Sequence, residues 1–289
     1  MNRKIYFIIL TYIISWSSII ILRNIDSKII TTIIIALWFM PGPLYATLIL
    51  EKFNRTNLLN YFNLKKINYK YLLYAPFIGI IFNSLYLIFI FAFGNILDFE
   101  EIGIFSINRE DIINNILKIS TDVNRKDINL PESPFVLILF IILFGSFSGA
   151  VVNFPFVLGE ELGWRGFLLK QLNNYSLTKK SIIIGFFWGL WHFPLIMYGL
   201  NFDKSPYLGA LIMTIFCIVA SFTFISLFEK SNSIIAPTLL HGSINATAPG
   251  LFFLIKDGDS LYTSPVGIIG VLAILLTYFL FFKLRKVTI

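Results

Sequence analysis

The sequence predicts an all-α protein, a polytopic transmembrane bundle of about eight helices with a catalytic cavity inside the membrane. Three observations carry this. Of its 289 residues, 57% are hydrophobic and only 13% are charged, against about a quarter charged in a soluble domain. The apolar residues gather into runs near the roughly 20 residues that a membrane crossing needs. Both histidines, His192 and His241, fall inside such runs.

The candidate spans, in order, are 5–22, 29–50, 71–93, 134–158, 181–198, 206–228, 234–254 and 264–283. The first follows Met1-Asn2-Arg3-Lys4 and resembles a secretory leader, but its apolar part is longer than the usual leader core. No small-x-small cleavage site follows it, so it reads as an uncleaved span. The spans 181–198 and 234–254 contain polar residues and are the least apolar of the eight. No linker separates the runs, which predicts one integral membrane domain over 1–289. Lys65 to Tyr74 mixes basic and aromatic residues, as expected either of an interfacial segment or of a solvated loop with lysine anchors.

Net charge is +7 and the sequence pI about 9.3. The basic residues sit at the ends of apolar segments, which fits anchoring near anionic lipid and not nucleic-acid binding. With both termini cytoplasmic, Lys52, Arg55, Lys65, Lys66, Lys70, Lys170, Lys179, Lys180, Lys283, Arg285 and Lys286 fall inside. Fifteen of the 23 Lys and Arg then lie on that side, the bias expected of cytoplasmic loops. The 94–133 connection falls outside. The protein is therefore expected in the cell membrane, with its cavity opening toward the cytoplasmic side because Glu160 follows a span that ends there. Cys217 is the one cysteine, so no intrachain disulfide can form.

Three polar clusters interrupt the apolar pattern. In Gly159-Glu160-Glu161-Leu162-Gly163-Trp164-Arg165, a helix would bring Glu161 and Arg165 onto one face, where they can pair. Glu160 would point about 100° away, free for chemistry. A charged helix start at the interface gives the same pattern. In Trp188-Gly189-Leu190-Trp191-His192-Phe193-Pro194, Trp188 lies one turn before His192 and can pack on it or shield it from lipid. Pro194 should kink the helix there. His241 and Asn245 are again four apart, so Asn245 can orient the imidazole or donate to an oxyanion. Interhelical hydrogen bonding between polar groups would also account for that pair.

A carboxylate, two imidazoles and an amide inside the bilayer are the equipment for hydrolysis without a serine or cysteine nucleophile. Ionisable groups at membrane depth are costly and mark functional sites by default. Glu160, His192 and His241 could alternatively ligate zinc, although no His-Glu-x-x-His signature is present.

These elements, in this order, resemble the CAAX prenyl protease type II and bacteriocin-processing (CPBP) family of intramembrane proteases. Glu160, Glu161 and Arg165 match its Glu-Glu-x-x-x-Arg motif. His192 matches Phe-x-x-x-His, with Trp188 in place of the usual Phe. His241 and Asn245 match His-x-x-x-Asn. The motifs span 160–245. The resemblance implies an endopeptidase acting on peptide or lipidated protein substrates in the bilayer, with Glu160 activating water and His192 as its partner. It further implies an oxyanion hole of His241 and Asn245, held in shape by Glu161 and Arg165. No cofactor is expected in the metal-free form of this chemistry, and zinc in the other. A non-catalytic membrane factor for bacteriocin immunity or envelope maintenance, and a proton-relay transporter, are the competing readings. No inverted repeat supports the transporter.

Overall fold

The computed structural model describes residues 3–51, 60–62, 64, 69–119, 123–202 and 204–283. Lys52, Arg55, Lys65, Lys66, Arg285 and Lys286 lie outside the described residues, as does the start of the Lys65–Tyr74 stretch. Its described part, from Tyr69, is the first turns of a helix.

Among the described residues, seven helices are long and apolar enough to cross a membrane. They are α1 (Arg3–Leu22), α2 (Lys28–Glu51), α3 (Tyr69–Ile96), α5 (Pro134–Val152), α7 (Leu177–Met197), α8 (Pro206–Ser231) and α10 (Ser260–Lys283). Three further α-helices of eight or more residues occur among the described residues: α4 (Arg109–Ile119), α6 (Phe154–Glu161) and α9 (Ile235–Phe252). The eighth expected span corresponds to α9. Its His, Ser, Asn and Thr residues keep it out of the apolar set, and its surroundings explain why that is tolerated. It packs against α3, α5, α6 and α8, so little of it needs to meet lipid.

The expected span 134–158 is divided. Helix α5 ends at Val152, the chain bends at Asn153, and α6 restarts with Pro155 in its first turn. Proline lacks an N–H and suits a first turn, where no intrahelical partner is needed. Beyond Glu161 the backbone widens into a π turn, Leu162–Leu168.

Chain direction sorts the connections onto two faces. On the terminal face, Arg3 pairs with Glu51 at 2.7 Å, Lys4 and Lys179 both sit on the Tyr175 ring, and Lys180 pairs with Glu229. On the opposite face, Tyr198 at the end of α7 donates to the Leu22 carbonyl at the end of α1. There too the connection expected to be a plain loop, 94–133, is partly folded into a small lobe. Strand β1 (Ile104–Phe105) pairs antiparallel with β2 (Ile255–Lys256). Asn115 on α4 donates to the Phe253 and Ile255 carbonyls at 3.1 and 2.7 Å. Lys256 pairs with Asp111 at 3.1 Å, and the Ser106 hydroxyl and this ammonium hold the Asp111 carboxyl below its ordinary range.

Lipid gives helices no hydrophobic drive to associate, so small residues set the close approaches. Gly185 and Gly189 of α7 face the Ile218 and Thr214 backbone of α8. Gly149 of α5 meets Ala246 of α9. Gly159 and Gly163 hold the glutamate segment against Pro41 and Pro43 of α2. A Cβ on Gly163 would lie 2.2 Å from Pro43 Cβ and 2.8 Å from its carbonyl carbon, and a proline ring has no rotamer by which to move aside. Gly163→Ala should therefore destabilise the protein by about 1–3 kcal/mol. Thermal unfolding in detergent reads this as a lower midpoint; an unchanged midpoint would mean the α2–α6 contact yields freely.

Candidate active site

Glu160, Glu161 and Arg165 are all buried, with 3%, 0% and 0% of their surface accessible. Isolated charges at that depth are costly, and they persist when paired and hydrogen-bonded. Arg165 Nη1 donates to Glu161 Oε1 at 2.9 Å, as the spacing of four predicts. The guanidinium also lies 4.2 Å from the Trp188 ring centroid and 4.6 Å from that of Phe224, cation–π geometry on two rings. The same Glu161 oxygen is 2.9 Å from His241 Nδ1. A carboxylate accepts, so Nδ1 carries the proton and donates. His241 Nε2 is left for the cavity. The sequence places Glu161 with Arg165 but does not reveal that it also holds His241, 80 residues away.

Glu160 is held by a different residue. Trp188 Nε1 donates to Glu160 Oε2 at 3.1 Å. The carbonyl of that same tryptophan lies 2.9 Å from His192 Nδ1. Since a carbonyl can only accept, Nδ1–H donates and His192 Nε2 presents a lone pair. Trp188 thus clasps both partners, one through its side chain and one through its backbone. It also packs on His241, with ring centroids 5.5 Å apart. The expected packing role is real, but the indole N–H adds a polar one. His192 ends the regular part of α7, just before Pro194 restarts a short helical turn.

Glu160, Trp188, His192, His241 and Asn245 all line one cavity of about 450 Å³. Phe39, Phe216, Phe224 and Phe252 are among its apolar walls. Asn245 is exposed in this cavity one turn beyond His241. All the residues singled out in the sequence therefore converge: five in the cavity wall, with Glu161 and Arg165 directly behind. Phe224 is the one the sequence could not supply, being one of 31 phenylalanines in a uniformly apolar helix. Among the described residues no three His, Cys, Asp or Glu side chains are grouped to hold one metal ion.

The expectation that the cavity opens on the face where α1 begins and α10 ends is not met. From Glu160 the cavity runs toward Leu200, Asn201, Phe252, Pro265 and Val266, which lie at the ends of α7 and α9 and before the regular part of α10. That is the face carrying the lobe. The position of Glu160 late in its span fixes its depth but not the side on which neighbouring helices part.

Residues 131–247 match the model of the Rce1-like type II CAAX prenyl endopeptidases. The chain is also similar to a protein named CAAX prenyl protease 2 from Methanococcus maripaludis. The two are 29% identical over 213 residues, which cover 61% of this chain and 74% of that protein.

Removing one partner of the buried pair leaves the other charge uncompensated, which costs roughly 3–5 kcal/mol. Arg165→Met should therefore lower unfolding stability by about that amount. The double variant Glu161→Gln/Arg165→Met should lose less than the sum of the two single losses. Additive losses in a double-mutant cycle would show that the two side chains do not interact.

Proposed function

We propose that this chain is a CAAX-type intramembrane endopeptidase using Glu160 to activate water, a reading supported by the match of residues 131–247 to the Rce1-like type II CAAX prenyl endopeptidases. The observation that carries this reading is the shared cavity. One buried carboxylate, two imidazoles and one amide line the same cavity, and one Glu160 oxygen and the Nδ1 atom of each imidazole are held by fixed partners.

The geometry is compatible with the following steps. Water enters beside Glu160, whose Oε2 is held by the indole, so Oε1 takes the proton. His192 Nε2 accepts from the other O–H and orients the water. The C–O bond forms as the substrate carbonyl becomes an oxyanion. Asn245 Nδ2–H and His241, protonated on Nε2 as well as Nδ1 and balanced by Glu161, donate to that oxygen. Collapse breaks the C–N bond, and the leaving amine takes the proton from Glu160. A peptide and one water become a carboxylic acid and an amine, and the acid's proton passes to the amine to give carboxylate and ammonium. The substrate is a peptide or lipidated protein whose scissile segment reaches the membrane, and no step requires a metal.

Purified protein in proteoliposomes, offered membrane-delivered peptides with and without lipid modification, tests this. Glu160→Gln should reduce cleavage at least a hundredfold, as loss of a general base does. A strong chelator should change nothing. Chelator-sensitive cleavage restored by zinc would make Glu160 a ligand instead. Equal cleavage by both proteins would exclude this site.

Trp188→Phe keeps an aromatic face for Arg165 but removes the N–H. Losing a hydrogen bond to a charged group, worth about 1.5–3 kcal/mol, should lower kcat by roughly 10–100-fold with KM little changed. A KM effect alone would make the tryptophan a wall and not a positioning group.

A further inference from the structure

The cavity holds one amide that the hydrolytic steps do not use. Among the described residues lining it and outside those steps, only Asn201 and Ser264 carry an amide or a hydroxyl. Ser264 is buried, and its hydroxyl oxygen accepts from the Val266 N–H at 3.3 Å. Asn201 is half-buried, and among the described residues its carboxamide has no hydrogen-bond partner. The rest of that end of the cavity, Leu200, Phe252, Pro265 and Val266, is apolar.

The backbone presents this amide in a fixed place. Asn201 has a φ of 66°, in the left-handed region, which is costly for most residues with a Cβ and tolerated by asparagine. Glycine adopts such a φ without steric cost, as Gly199 does two residues earlier at 105°. The turn alone therefore does not call for an asparagine. On either side the chain is pinned. Leu200 N–H donates to the Leu195 carbonyl at 3.0 Å, and Phe202 N–H donates to the Leu200 carbonyl at 2.9 Å. Phe202 is fully buried and pressed into the notch at Gly209 of α8, where an added Cβ would lie 2.3 Å from its own Cβ.

A peptide that enters an apolar cavity leaves water behind, and each backbone N–H or C=O then left without a partner is costly. A carboxamide carries an acceptor oxygen and an N–H donor, the complement of one peptide unit. We infer that Asn201 is a substrate-binding residue: its Oδ1 accepts a backbone N–H of the substrate and its Nδ2–H donates to a backbone carbonyl, away from the bond that is cut. The contact reads the backbone and not a side chain. It also demands an unwound segment, because a helical one has spent those groups on its own ladder. This assignment rests on the endopeptidase reading of the same cavity.

Asn201→Gly keeps the left-handed backbone and removes the amide. In proteoliposomes its KM for a membrane-delivered peptide should rise roughly tenfold with kcat little changed, as expected when one hydrogen bond common to ground and transition states is lost. Its thermal midpoint should match or exceed that of the wild type. Substrates with one peptide bond at a time replaced by an ester locate the contact. An ester has no N–H, so at one position outside the scissile bond it should raise KM for the wild type and not for Asn201→Gly. An unchanged KM in Asn201→Gly, or ester effects equal in the two proteins at every position, overturns the assignment. A midpoint well below the wild type's does so too, by making the asparagine a structural part of its turn. Cleavage that Glu160→Gln abolishes while Asn201→Gly leaves KM intact faults Asn201 alone. Cleavage absent from the wild type, or surviving Glu160→Gln, overturns the endopeptidase reading and this assignment with it.

Discussion

One carboxylate oxygen, Glu161 Oε1, holds the site together. It accepts from Arg165 on its own helical segment and from His241 on α9, both at 2.9 Å. In a medium that does not solvate charge, neither ion could remain there alone. The arginine in turn lies between Trp188 of α7 and Phe224 of α8. Four helical segments are thus fixed relative to one another by a single buried acid. Because Glu161 is consumed in this way, Glu160 beside it is left to face the cavity. Adjacent glutamates in one helical stretch have divided labour: one neutralised by its neighbours, one turned to the open space.

The helices that carry these groups are broken where the groups lie. Pro155 follows the bend at Asn153, a π turn follows Glu161, and Pro194 follows His192. Helix α2 has its own π turn, Ile35–Phe39, directly before Met40 and Pro41. Irregular backbone at membrane depth is tolerated only when buried in protein or lining a cavity, and here it does both. Phe39 and Met40 line the cavity, while Gly159 and Gly163 press the glutamate segment onto Pro41 and Pro43. The glycines bring backbones close enough for dispersion to offset the lost helix bonds. The same contacts leave the carboxylates little freedom to move.

Much of this was legible in the sequence, for identifiable reasons. Apolar runs longer than a membrane is thick revealed the spans. The spacing of four placed Glu161 with Arg165, and His241 with Asn245. Relations between distant segments were not legible. Nothing in a linear pattern tells that an indole 28 residues on will donate to Glu160, or that Phe224 and not another phenylalanine backs Arg165. The lobe read as a loop because its two-residue strands are too short to show alternation. The break at Asn153 was hidden by an apolar stretch that continues through it. Loop charge reports how helices are inserted, not where they separate to leave a void.

The tryptophan at 188 follows from these constraints. A phenylalanine there could stack on Arg165 and contact Phe224 and His241, which is all that shielding requires. It could offer nothing to Glu160. In a buried, largely apolar cavity a carboxylate with no donor would be free to turn toward Arg165, where opposite charge attracts it. The indole N–H opposes that rotation by binding Oε2 and leaves Oε1 without a hydrogen bond from it. The backbone carbonyl of the same residue fixes which nitrogen of His192 bears the proton. One residue therefore holds the Glu160 carboxylate and fixes the tautomer of His192. The identity of the aromatic at this position is a chemical choice as well as a steric one.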